Sequence, residues 1–221
     1  MLSASYFTNV IPALNHGLLI TITVILPSAI FGFLGGIAVG SLRVFAPKPL
    51  VRLANAYVAL IRGVPLLLQL YFLYFALPRW GVVLSAYQAA VLGFILCSSA
   101  YHSEYIRGAL LSIRAGQIKA AMSLGFSRLE MVRTILVPQA VRLALPGCGN
   151  EFIYLIKYSS LAYIITLIEL TGSAKEQAAR TFNFIEIYLT AGLYYLFLTT
   201  LAAWILHSIE KRIAIPGFGH K

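Results

Sequence analysis

Five stretches of this chain are largely apolar for more than twenty residues each, at about 17–42, 53–77, 82–103, 145–169 and 184–208. A chain of 221 residues cannot bury that much hydrocarbon inside a water-soluble core. As a helix, each stretch is long enough to cross ~30 Å of lipid, which takes ~20 residues. The supply of charge agrees. Only 11% of the residues are charged and 60% are hydrophobic, whereas soluble domains carry roughly 25% charged residues. Alternating ten-residue segments, the mark of a membrane β-barrel, are absent. Backbone groups in lipid must pair within their own segment, which leaves helices. The expected fold class is all-α: a polytopic membrane protein of about five transmembrane helices forming one domain over residues 1–221.

The net charge is +10, a value that could suggest nucleic acid, but its placement argues for lipid instead. Arg43, Lys48 and Arg52 follow the first stretch. Arg107, Arg114, Lys119, Arg128, Arg133 and Arg142 lie between the third and fourth, and Lys211, Arg212 and Lys221 follow the fifth. These twelve of the 17 basic residues share one side, while Arg79, Lys175 and Arg180 hold the other. The positive-inside rule makes the first side cytoplasmic, so the N-terminus is expected outside and the C-terminus inside. Residues 1–16 contain no Lys or Arg, unlike the positive start of a signal peptide, and the first apolar run exceeds the 7–15 residues of a signal h-region. Cys97 and Cys148 read as small packing residues rather than a disulfide or metal pair.

No phosphate-cradling GxxxxGK[ST] loop, HExxH, CxxC or GxSxG is present, and Asp is absent altogether. The chain is therefore not expected to be an enzyme or to hold a cofactor or metal. Five spans cannot divide into the paired repeats of many secondary transporters, and a chain of this size encloses a pathway only with a second copy or a paralogue.

The longest polar interval, Arg107 to Pro146, contains QIKAAMSLGFSRLEMVRTILVP (117–138). Good helix formers lead to Gly125, which suits a left-handed helix stop. Ser127 and Glu130 then form a capping-box pattern. The expectation is helix, turn at Gly125-Phe126, and a second helix ending near Val137 because Pro138 forces a boundary. Lys119, Ser123, Ser127, Glu130 and Arg133 group on one face, with Ala120, Ala121, Leu124, Leu129 and Val132 opposite. From these residues alone, a helix lying in anionic headgroups and a docking element for another protein are both open.

The run KAAMSLGFSRLEMVRTILVPQAVRLALPGCGNEF resembles the cytoplasmic signature of ABC-importer permeases, through Ala120, Ala121, Leu124, Gly125, Ser127, Arg128, Pro138, Gln139, Ala140, Arg142, Pro146 and Asn150. IRGVPLLLQLYFLYFALP (61–78), AYHSEYIRGALLSI (100–113), GNEFIYLIK (149–157) and IEKRIAIPGFG (209–219) resemble the polar amino-acid branch of that family, such as histidine, arginine, glutamine and opine permeases. The likeness covers nearly the whole chain. It implies a type I importer of the bacterial plasma membrane that moves a polar amino acid or derivative inward by alternating access. The implied partners are ABC ATPase subunits that use ATP and Mg, a second permease subunit, an extracytoplasmic solute-binding protein and membrane lipid. A permease for another small solute and an ion-coupled transporter or channel are the alternatives. The resemblance makes the segment at about 114–140 a coupling loop. Lys119, Ala120, Ala121, Leu124, Gly125, Phe126, Ser127 and Arg128 are then the ATPase-coupling residues. The family has Glu where Lys119 stands. Either Lys119 faces solvent with little consequence, or it marks one half of a heterodimer whose sister chain keeps the Glu. Tyr158 likewise replaces an acid.

Ionisable groups inside spans are costly and mark pathways or pairs. Arg62, Glu104, Glu151 and Lys157 qualify, and Asn150 joins them as a pathway candidate. Glu104 and Arg107, three apart, suit an intrahelical pair. Arg62 precedes Gly63 and Pro65, where the second stretch should kink, and either satisfies freed carbonyls or lines the pathway. His102 reads as a packed, hydrogen-bonded side chain.

Overall fold

The computed structural model describes residues 6–213, so Lys221 and residues 214–219 of the closing motif lie outside the described residues. The described chain is helical, with no strand among its residues. A π turn, Tyr6–Val10, leads into α1 (Ile11–Phe45). Then come α2 (Lys48–Gly63), α3 (Leu66–Tyr71), α4 (Ala86–Ser112), α5 (Ala115–Ser123), α6 (Arg128–Met131), α7 (Val137–Tyr158), α8 (Leu170–Thr181) and α9 (Phe184–Ile213). α1, with its leading turn, and α9 are each long and apolar enough to cross a membrane.

The closest packing is between α1 and α4. Gly32, Gly36 and Gly40 are buried on α1, and they meet Ser98, His102, Ser103 and Ile106 on α4. A Cβ added at Gly40 would lie 2.9 Å from the Ser103 carbonyl oxygen, and one at Gly36 would collide with His102. Lipid tails are as apolar as leucine, so burial from water does not pull these helices together. Close backbone approach over small residues does. The register rises together, Gly32 to Ser98, Gly36 to His102 and Gly40 to Ile106, so the two helices run parallel. The chain between them must therefore return, and α2 and α3 carry it back.

That return is broken at residues 63–65, where the second stretch, 53–77, was expected to kink. α2 and the segment from Leu66 to Trp80 meet at an angle of 102°. Pro65 lacks an N–H and disfavours helix at the residue before it, and Val64 is extended. α2 is amphipathic, with Ala54 and Val58 buried and Lys48 and Arg52 on its outer faces.

α7 runs antiparallel to α4. Ile106 and Leu110 pack with Leu136, Ala140 and Ala144 at one end, while Phe94 packs with Leu155 and Ile156 nearer the other. A third cluster joins Val10 and Leu14 to Leu170, Ala174, Ala178 and Ile187. The core is thus three clusters stacked along the helices. α4 is less apolar than α1 and buries 13 of its residues, which fits a helix wrapped by others rather than by lipid.

Pro138 does not end a helix, contrary to the sequence expectation. α6 passes through a π turn, Val132–Leu136, directly into α7. The wider turn accommodates the proline, which cannot donate to the preceding turn. The same spacing recurs: the π turns Tyr6–Val10 and Phe72–Ala76 also end two residues before a proline, Pro12 and Pro78. The fourth apolar stretch, expected at 145–169, consequently begins much earlier as helix. It ends in a 3-10 turn at Ser159–Ile165, and the chain bends by 54° before α8.

Gly36→Ala should lower the unfolding midpoint of the purified chain, at a cost of about 1–3 kcal/mol for overpacking. Gly108→Ala, where nothing lies within 4 Å of the added methyl, should be neutral or stabilising. A thermal melt of both variants checks the pair.

Candidate functional site

Two constellations stand out, one in the polar loop and one beside the broken helix α2–α3.

In the loop, α5 ends as the sequence foretold. Gly125 has φ +82°. The Phe126 N–H donates to the Ala121 carbonyl at 3.2 Å and the Gly125 N–H to the Met122 carbonyl at 3.1 Å. These are the two bonds of a Schellman stop. The next helix opens with the expected capping box. The Glu130 N–H donates to the Ser127 hydroxyl at 3.3 Å, and the Ser127 N–H donates to the Glu130 carboxylate at 2.9 Å. Hydrogen bonding of the carboxyl to Ser127, through the Ser127 side chain first and its backbone N–H second, holds Glu130 below its ordinary value. Its capping contribution is therefore present at neutral pH and is lost on acidification through that lowered value.

The apolar side of this segment does not pack inward as a whole. Ala121 and Met131 are buried, but Met122, Leu124, Phe126 and Leu129 are 64%, 78%, 39% and 65% exposed. Lys119, Ala120, Ser127 and Arg128 are exposed too. Backbone stops and caps hold the turn rigid while its oily side chains face outward.

Beside α2, four charges converge. Glu104 on α4 accepts from Arg43 of α1 at 3.1 Å and from Arg62 of α2 at 2.9 Å, both on Oε1. It accepts from Arg107 at 3.1 Å on Oε2. The expected pair Glu104–Arg107 is present, within a larger group. Arg43 was assigned to a cytoplasmic loop by sequence. Here its side chain is only 9% exposed, and it also donates to Asn55 Oδ1 at 2.7 Å and Ser103 Oγ at 3.2 Å. An arginine next to an apolar run gives no sequence signal of a partner sixty residues away.

Arg62 does not satisfy the carbonyls freed at the break. Gln69 does, donating to the Ile61 and Val64 carbonyls at 2.7 and 2.8 Å. Arg62 instead lies over the Tyr101 ring, 5.1 Å from its centroid. These residues line an open cleft of about 510 Å³ bounded by Arg43, Asn55, Val58, Ala59, Arg62, Glu104 and Arg107.

Asn150 and Glu151 sit in the middle of α7, because that helix begins well before the expected fourth stretch at 145–169. Glu151 is buried, and Asn150 and Lys157 are exposed, so Glu151 and Lys157 do point to different faces. Lys157 Nζ lies 5.0 Å from the centre of the Tyr154 ring, which stacks on Tyr158. Arg62 is within electrostatic reach of Glu151. The cluster brings Arg62 and Glu104 into contact, and leaves Asn150 and Lys157 apart from it. His102 is buried and hydrogen-bonded to the Ser98 carbonyl at 2.8 Å, as expected.

Glu169 escaped sequence reading. It is fully buried and caps α8, accepting from the Thr171 and Gly172 N–H groups and from the Tyr195 hydroxyl, each at 2.9 Å. Glutamate is not a favoured N-cap, so no local signal marked it. Among the described residues no group of His, Cys, Asp or Glu could hold a metal ion.

Comparison with known proteins gives a consistent picture. Residues 32–215 match the family described as binding-protein-dependent transport system inner membrane component. The chain is 37% identical over 213 residues to the probable amino-acid ABC transporter permease protein YckA of Bacillus subtilis, covering 96% of this chain and 92% of that one. It is 36% identical over 211 residues to the glutamine transport system permease protein GlnP of Escherichia coli, covering 93% and 94%. A solved structure described as an amino acid ABC transporter with histidines superposes with TM-score 0.85 at 30% identity, covering 96% of this chain and 99% of that one.

Glu104→Gln leaves the nearly buried Arg43 without a counter-charge, and should cost about 3 kcal/mol, the low end for a broken buried pair, since Glu104 is 24% exposed. Arg62→Gln, at a side chain 42% exposed, should cost less than ~1 kcal/mol. Equal losses in chemical unfolding of the two variants would contradict this ranking.

Proposed function

The chain belongs to the binding-protein-dependent transport system inner membrane components, and from that premise we propose that it is the permease subunit of an ATP-driven importer of a polar amino acid or derivative. One observation carries the mechanism: a rigid, capped turn outside the long apolar helices that presents four oily side chains to solvent. A surface of that kind needs a partner. The partner is an ABC ATPase subunit, which binds and hydrolyses ATP with Mg in a separate chain. The turn at Lys119, Ala120, Ala121, Leu124, Gly125, Phe126, Ser127 and Arg128 lodges against it. Its continuation through α6 into α7 as one unbroken helical rod supports a direct mechanical link to the pathway.

The helix directions support five crossings within a single domain of residues 1–221: α1, the returning α2–α3 arm, α4, α7 and α9. Basic loops then set the N-terminus outside and the C-terminus in the cytoplasm, in the bacterial plasma membrane. Arg62, Glu104, Asn150, Glu151 and Lys157 line the pathway. A second permease subunit closes it, and the reversed charge at Lys119 favours a paralogue over an identical copy. A solute-binding protein delivers the amino acid at the outer face. ATP-dependent closure of the ATPases favours one of two packings of the spans, which is how differential binding drives alternating access.

Reconstitution with the ATPase and binding protein is the test. Uptake should require both proteins and ATP, and uptake driven by an ion gradient alone refutes the reading. Gly125→Asp should abolish coupled transport, because φ +82° disfavours any side chain and a charge would enter the docking turn. Lys119→Glu should leave uptake near wild type. Coupled transport at the normal rate in Gly125→Asp would sink the assignment of the docking turn.

A further inference from the structure

The cleft beside α2 holds three guanidinium groups and one carboxylate. A single Glu104 cannot neutralise three arginines, so two positive charges remain in a partly desolvated pocket. The three arginines are not equivalent. Arg43 is the most engaged: each of its three nitrogens already donates, to Asn55, Ser103 and Glu104. Arg62 and Arg107 are 42% and 38% exposed. Arg62 spends a single donor on Glu104, from Nη1. Arg107 spends Nε and Nη2, both on the same oxygen. Asn55 accepts from Arg43 through Oδ1, which leaves its amide N–H pair as a donor lining the cleft.

The arrangement is a fork of unspent donors on Arg62 and Arg107 around an open volume, anchored by an arginine that is nearly buried and bonded through all three nitrogens. Planar guanidinium donors suit the two oxygens of a carboxylate. The cleft also lies on the face where Arg62 meets Tyr101 and comes within electrostatic reach of Glu151. It sits near the C-terminal ends of α1 and α4, the end from which the polar loop departs.

We propose that this cleft is an inner-end subsite that binds the α-carboxylate of an amino acid on Arg62, Arg107 and the Asn55 amide, with Glu104 nearby to receive its ammonium group. This rests on the importer reading and adds a place for the solute after it has passed Glu151. It follows that amino acid on the cytoplasmic side rebinds there and opposes further inward transport.

The test uses the full chain alone in nanodiscs of zwitterionic phosphatidylcholine, so it does not depend on uptake, which tests the importer reading separately. The probe is glycine, an α-amino acid with no side chain to select for or against. Glycine should raise the unfolding midpoint with a saturable dependence, and glycinamide, which lacks the carboxylate, should not. Arg62→Gln and Arg107→Gln should each raise the apparent Kd about tenfold or more, the loss expected for a charge-assisted hydrogen bond. Arg62→Lys should recover part of the affinity. Equal effects of glycine and glycinamide, no saturable effect of either, or unchanged affinity in both Arg variants would overturn the proposal. In phosphatidylglycerol nanodiscs the glycine affinity should persist. If anionic lipid itself stabilises the chain through Arg62 and Arg107 and displaces glycine, the cleft is a headgroup site and the proposal falls.

Discussion

Helices in hydrocarbon gain nothing by hiding their leucines from one another, so this fold depends on how closely α1 and α4 can approach. Gly32, Gly36 and Gly40 let the α1 backbone rest on Ser98, His102 and Ser103. Everything else is arranged around that parallel pair. The α2–α3 arm has to return the chain to the starting side, α7 lies antiparallel along α4, and α8 closes over the beginning of α1. Ser28 and Ser103 on the contact donate within their own helices, to the Val24 and Ala100 carbonyls, each at 2.7 Å. Ser28 also reaches across to the Val91 carbonyl of α4 at 3.4 Å, and the buried Ser41 hydroxyl has no hydrogen-bond partner among the described residues.

Glu104 performs a second kind of joining. Its two oxygens tie α1, α2 and α4 at one level, where the amphipathic α2 turns away at the Pro65 break. A single carboxylate with three cations is an over-supplied site. Burying Arg43 with hydrogen bonds on three sides keeps the group ordered, while the outer two arginines retain donors. Rigidity and reserve binding capacity thus come from the same residues, divided by how deeply each is buried.

Much of the fold was legible because lipid imposes simple rules. Apolar length marked the helices, and Gly125, Ser127 and Glu130 announced the turn because cap chemistry is local. What the sequence concealed was long-range or depended on a helix staying intact. Arg43 looked like a loop cation, Glu169 like the tail of a span, and Gln69 like one more residue after a proline. Each takes its role from partners that only the folded chain brings near. Pro138 misled for a different reason: the rule that proline ends helices assumes an ordinary α turn ahead of it, and here the turn is widened. Of Ala120, Ala121, Leu124, Leu129 and Val132, read as the apolar face, Ala120, Leu124 and Leu129 are exposed and only Ala121 is buried.

The widened turns have a geometric consequence of their own. Each α-helical residue advances the wheel by about 100°, and a π turn lodges an extra residue in the coil. Past Val132–Leu136, every side chain of α7 is therefore rotated relative to the stripe drawn through α6. One continuous rod thus carries two faces whose compass bearings are set independently, the first toward whatever meets the turn and the second toward α4. A push along such a rod travels its whole length, yet a change of residue on one face does not oblige a matching change on the other.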